Sequence, residues 1–170
     1  MRPLLKMTLK VVKTIDHVDD LQKSLRKLEK SQVLAGVPAE KAGRDSSESG
    51  NEINNAALGY IHNYGAPTAN IPARPFMEPG IKDNADQITP YLGKAAEAAI
   101  SGDAAGVHKN LMSAGIKAAS GIKRKIDVGP FVPLKPGTLA ARRRRGRTGI
   151  KPLLDTGKLR NAISFVIREK

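Results

Sequence analysis

MTLKVVKTIDHVDDLQKSLRKLEKSQVLAGV, residues Met7 to Val37, changes periodicity twice. From Met7 to Lys13, Leu9 and Val11 alternate with Lys10 and Val12, which predicts a strand. Asp16 then opens a predicted helix. Asp19 and Asp20 lie in its first turn, where the helix dipole favours acids. Val18, Leu21, Leu25 and Leu28 recur at spacings of three and four, one apolar face, until Lys30 and Ser31 end the element. Gln32 to Val37 returns to alternation, with Val33, Ala35 and Val37 on one side, and Pro38 closes it. A strand, a helix and a second strand in this order predict a sheet with a helix on one face.

The rest of the chain adds mainly helices. Ala39 to Asn51 (AEKAGRDSSESGN) is polar and without a period, an expected exposed loop that is either a contact arm or a plain surface loop. From Glu52 to Tyr64, residues Ile53, Ala56, Ala57, Tyr60, Ile61 and Tyr64 form an amphipathic stripe. Gly65 and Pro67 end it. Pro72, Pro75 and Pro79 force an extended or tightly turned path through IPARPFMEPG, with Phe76 and Met77 as its apolar anchors. A helix is predicted from Ile81 to Ile100, with Ile81, Ala85, Ile88, Leu92, Ala95, Ala96 and Ala99 on one face. A longer one is predicted from Ala104 to Ile126, carrying Val107, Leu111, Ala114, Ala118, Ile122 and Ile126. Together they make an Ala-rich hairpin whose small residues permit close approach.

Asp127 to Pro136 is again punctuated by proline. Thr138 to Arg145 reads as a short helix, and 140–152 as a basic loop region broken by Gly146 and Gly149. Asp155 or Thr156 caps a short helix through Leu159. Ile163 to Arg168 is β-branched and aromatic, a terminal strand that needs a partner. The predicted class is therefore α+β: a small, mainly antiparallel sheet of the N-terminal strands and the C-terminal strand, flanked by helices that include a long hairpin. The length of 170 residues suits one domain spanning 1–170.

Composition narrows the functions. There is no cysteine, which excludes thiol nucleophiles, thiolate metal sites and disulfides. No run of 18 or more apolar residues occurs, so no membrane-spanning helix is expected, and the Lys- and Arg-studded first dozen residues do not read as a signal peptide. His17, His62 and His108 are the only histidines. They have no metal-ligand spacing, no nucleophile elbow and no phosphate-binding Gly-rich loop, so no catalytic, metal or cofactor site is expected. The net charge is +13 and is uneven. Residues 122–170 hold 14 Lys and Arg against 3 Asp and Glu. Such a field suits nucleic acid, an acidic protein face or a membrane surface. Its sharpest feature is Arg142, Arg143, Arg144, Arg145 and Arg147, which repel one another and will not be buried unpaired. They read as an electrostatic contact for DNA phosphates or an acidic protein ring, or as a solvated basic face.

Three blocks carry a resemblance: LGYIHNYGAP (Leu58 to Pro67), IPARPFMEPGI (Ile71 to Ile81), and PLKPGTLAARRRRG with KPLLDTGKLRNAISFVI (Pro133 to Gly146 and Lys151 to Ile167). In this order and spacing the chain resembles tailed-bacteriophage neck and tail-completion proteins, the head–tail joining or minor-tail-protein-Z-like family. The resemblance implies a structural virion protein with no catalytic residue and no cofactor. It implies a homo-oligomeric ring, commonly hexameric, between the head connector or adaptor and the tail terminator or tail tube. It also implies a ring lumen through which DNA passes, with non-specific DNA contact, no membrane, and a place in the host cytoplasm during assembly. Phe76, Met77, Leu159 and Phe165 are then the expected structural anchors, with Leu153, Ile163 and Ile167 docking the last helix and strand. The alternative is a basic nucleic-acid-binding protein that uses its arginine-rich C-terminal third.

Overall fold

The structure is a computed structural model that describes residues 18–43 and 53–169. Helix α1 spans Val18–Lys30 and runs directly into strand β1, Ser31–Gly36. The expected strand at Met7 to Lys13 lies outside the described residues. The expected apolar face of α1 is only half used: Val18 is 56% and Leu25 43% exposed, while Ser24 is fully buried. The helix rests on the line Leu21, Ser24, Leu28, where the small serine is the innermost residue. The start of the expected loop at 39–51 is tied down rather than free. Ala39–Lys41 makes one 3₁₀ turn, and Asn55 Nδ2 donates to the carbonyls of Lys41 and Gly43. Residues 44–51 of that loop are outside the described part.

Helix α2, Asn55–Tyr64, begins three residues later than the periodicity predicts, because Asn54 caps it by accepting from the Ala57 amide at 2.8 Å. Its orientation also differs. Asn55, Gly59 and Asn63 face inward, whereas Tyr60 and Tyr64 of the expected stripe are about two-thirds exposed and pack on each other at 4.8 Å. The inward polar residues have partners that explain the reversal. Asn63 Oδ1 accepts from the amides of Phe76 and Met77 at 2.9 and 3.1 Å. At Gly59, a Cβ would sit only 3.2 Å from the Met77 methyl. Gly65 ends the helix as expected, at φ 79°, where a side chain would strike the Ala73 amide.

The helix expected from Ile81 to Ile100 is two helices, α3 (Met77–Lys82) and α4 (Ala85–Ile100). The Pro-rich stretch therefore turns helical at Met77, earlier than its prolines suggest. At the break, Asn84 Nδ2 donates to the Lys117 carbonyl at 2.7 Å and Lys125 pairs with Asp83 at 2.7 Å. Ile88, Ala95 and Ala99 are buried, but Ile81 and Leu92 remain exposed. Helix α5, Ala104–Val128, follows the sequence closely, with all six of its expected apolar residues buried. It packs antiparallel on α4 as the hairpin and crosses α3 so tightly that a Cβ at Gly80 would lie 2.7 Å from Ile122 Cα.

Helix α6 (Pro136–Arg144), helix α7 (Lys158–Ala162) and strand β2 (Ser164–Glu169) complete the described chain. Strand β2 pairs antiparallel with β1, Val33 opposite Ile167 and Ala35 opposite Phe165, so these four side chains share the face toward α5. The protein is α+β, a small antiparallel sheet with flanking helices. Its largest core cluster lies toward the C-terminal end of α5: Phe76, Ala119, Ile122, Ile126, Leu153, Leu159 and Ile163. A second, of Ala95, Ala99, Val107 and Leu111, lies toward the N-terminal end. Of the four residues expected as anchors, Phe76 and Leu159 are buried in this cluster, and Met77 and Phe165 are partly buried against it.

Candidate functional site

A cleft of about 510 Å³ lies between α2, α6 and the segment leading into α7. Two of the sequence blocks, Leu58 to Pro67 and the pair running from Pro133 to Ile167, line it, and the block Ile71 to Ile81 is bonded to both from behind. Each is fastened to the next by a polar residue that bonds to backbone. The Arg74 amide donates to the His62 carbonyl at 2.8 Å. The Arg74 side chain, 5% exposed, donates to the carbonyls of Val132 and Pro133 at 2.9 and 3.3 Å. A guanidinium can do this because its planar array of donors reaches two carbonyls at once. Burial and the nearby Arg142 charge pull its pKa below the usual arginine value.

Arg142 is the keystone of the cleft. The sequence places it in an electrostatic contact with its four neighbours, but the structure gives it another role. It is 6% exposed and points inward from the last turn of α6. Its guanidinium donates to the carbonyls of Gly149, Lys151, Pro152 and Leu154 at 2.8 to 3.2 Å, and its Nε lies 3.3 Å from Asp155. The rule that such a charge is not buried unpaired therefore holds, with the loop at 149–155 as the partner. Asp155 is shared: Arg147 pairs with its other oxygen at 2.6 Å. The region expected as a basic loop at 140–152 is thus helical to Arg144 and then wrapped on Arg142.

The remaining arginines divide. Arg145 and Arg147 line the cleft with Lys158 and Asp155, whereas Arg143 and Arg144 are exposed and are not part of its lining. Leu58, Leu134, Leu153 and Leu159 supply an apolar floor. His62 forms part of the wall, and its Nδ1 is buried with no hydrogen-bond partner. Burial, then the charges of Arg74 and Arg142, hold its pKa below the ordinary histidine value, so the neutral ring is favoured. Behind the cleft, Arg160 grips Asp127 through two bonds of 2.6 and 2.7 Å, and Lys151 donates to the Asp127 carbonyl, which fastens the α7 segment to the end of α5. The Arg160 hydrogen bond lowers the Asp127 pKa against the opposing effect of burial.

The cleft can therefore hold something anionic with an apolar part. Among the described residues no group of His, Asp and Glu is placed to hold a metal ion. Sequence reasoning missed Asn63, Arg74 and Asn84 as structural polar residues. Arg74 carried a signal: a lone cation between Pro72 and Pro75, in an otherwise apolar stretch, is held rigidly and aimed. Comparison of the chain with protein families, curated proteins and solved structures returns no match.

Proposed function

We propose that this chain is a structural virion protein of a tailed phage, a subunit of a ring at the neck that completes the tail and joins it to the head. One observation carries the reading. The blocks that carry the resemblance converge on a single device, in which Asn63, Arg74 and Arg142 direct their polar groups at backbone. What the first and last of these blocks present outward is a cleft of cations and apolar side chains, the composition of a docking surface. The partners that fit the proposal are further copies of the chain, a head connector or adaptor, and a tail terminator or tail tube. Native mass measurement of the purified protein, alone and with such neighbours, tests it. A discrete closed oligomer of six-fold or related symmetry is the expected result. A monomer under all these conditions overturns the proposal.

The exposed pair Arg143 and Arg144 favours a second reading, non-specific binding of nucleic acid. It predicts that the isolated monomer binds duplex DNA with an affinity that falls steeply with salt. Binding unchanged on replacing both arginines with alanine removes it.

A further inference from the structure

Helix α5 separates two ends of opposite character. Its 25 residues make it about 37 Å long at 1.5 Å per residue. At its C-terminal end sits the cationic cleft, anchored through Asp127. At its N-terminal end the start of α1 meets the turn between α4 and α5: the Gly102 position abuts Asp20 and Leu21. Residues 18–23 and 97–105, brought together there, contain Asp19, Asp20, Glu97 and Asp103 against Lys23 alone. All four acids are exposed, and so are two apolar side chains beside them, Ile100 at 68% and Val18 at 56%. This end carries the last residue of α4, Ile100, exposed beside the turn into α5. The other end is concave, with an apolar floor and Arg145, Arg147 and Lys158 around it.

We infer that the acidic end of one copy seats in the cationic cleft of the next, Ile100 toward the leucine floor and the carboxylates toward Arg145 and Lys158. The inference rests on the ring reading and names the contact that would build the ring. Two different surfaces at opposite ends of one molecule make a head-to-tail contact, the kind that closes rings when the rotation between copies allows. Charge complementarity selects the partner, and the buried apolar contact holds it. Nucleic acid fits the cleft less well: no Phe, Tyr or Trp lines it as a stacking platform, and Leu58, Leu134, Leu153 and Leu159 offer phosphates nothing.

The test uses two charge-reversed full-length proteins, D19K/E97K at the acidic end and R145E/K158E at the cleft. Asp103 is spared because it caps α5, accepting from the Gly106 amide. Association is followed by sedimentation at low salt. Each variant alone is expected to associate about tenfold or more weakly than the unaltered protein, because it presents like charge to like. Mixed in equal amounts, the two are expected to co-assemble: the lysines of one fit the glutamates of the other, and the second junction is native on both sides. Two variants that each assemble normally overturn the contact while leaving the ring itself standing. Loss of assembly without rescue on mixing overturns the pairing of these two ends. An unaltered protein that stays monomeric brings down the ring reading together with the inference. If R145E/K158E loses duplex DNA binding with no change in self-association, the cleft takes phosphate and the inference fails.

Discussion

The two ends of α5 are built by different means. At the C-terminal end the core contains Phe76, Ile122, Ile126 and Ile163, all essentially inaccessible, and it is framed by Asn63, Arg74 and Arg142 bonded to backbone. At the N-terminal end the core is Ala95, Ala99, Val107 and Leu111, and apolar residues of α1 and α4 remain outside. Large shaped side chains and directional bonds specify one arrangement; small side chains specify closeness without much burial. The first end has a fixed shape of its own, while the second leaves apolar surface exposed.

The largest expected effect breaks the first end. Phe76→Ala should cost about 3–5 kcal/mol, the range for deleting a fully buried aromatic ring. Urea unfolding monitored by circular dichroism measures it. A loss below about 1 kcal/mol would show that the ring does not organise this core.

Next is Arg142, set against its neighbour. Arg142→Lys should cost about 3 kcal/mol in the same experiment, because an ammonium cannot reach four carbonyls and Asp155 together and leaves acceptors unmet. Arg143→Lys should stay within about 0.5 kcal/mol, as expected for an exposed site. Equal losses would mean that the two arginines are equivalent, contrary to their burial.

That pair also shows how far the sequence was legible. Helix α5 was readable because its stripe is apolar on one side and the element is long, so period and burial agree. The hairpin followed from it. Strand β1 was legible through an alternation that its burial follows from Ser31 to Ala35, and β2 through its β-branched and aromatic residues, although its burial does not alternate. Helix α2 was misread in orientation, since hydrophobic periodicity assumes that the apolar face goes in. Here Asn55 and Asn63 go in because backbone groups need them, Gly59 goes in because Met77 packs against it, and Tyr60 and Tyr64 stay out. The break at Asp83 and Asn84 was hidden for a related reason: it is set by an Asn84 bond to a residue 33 positions away. In the arginine run, the five side chains are identical in type. Only the path of 149–155, folding back over α6, decides which one is buried. The cleft was therefore legible as a charge and not as a shape.

The second end is sharpened by filling it. Ala99→Leu should cost about 2 kcal/mol, because its fully buried site between α4 and α5 has no room for three more carbons. The measured quantity is again the unfolding midpoint in urea. A neutral or stabilising result would show that this end is loosely packed rather than close-packed with small residues.

The smallest effect tests whether the buried His62 ring in the cleft wall is neutral. His62 is held below its ordinary pKa of 6.5 by burial and by the charges of Arg74 and Arg142. As the pH falls below 6.5, the unfolded chain takes up a proton there before the folded chain does. Stability contributed by the neutral ring is thus present above pH 6.5 and is lost as the pH drops toward the lowered folded value. One proton limits the slope to about 1.4 kcal/mol per pH unit. Relative to His62→Gln, the unaltered protein should lose stability between pH 7 and 5.5, a window above most carboxylate titrations. If it gains stability instead, the imidazole is protonated in the fold and has found an anion in the cleft. The contrast would then be between an acidic end with exposed carboxylates and a concave end whose wall histidine is already paired with an anion.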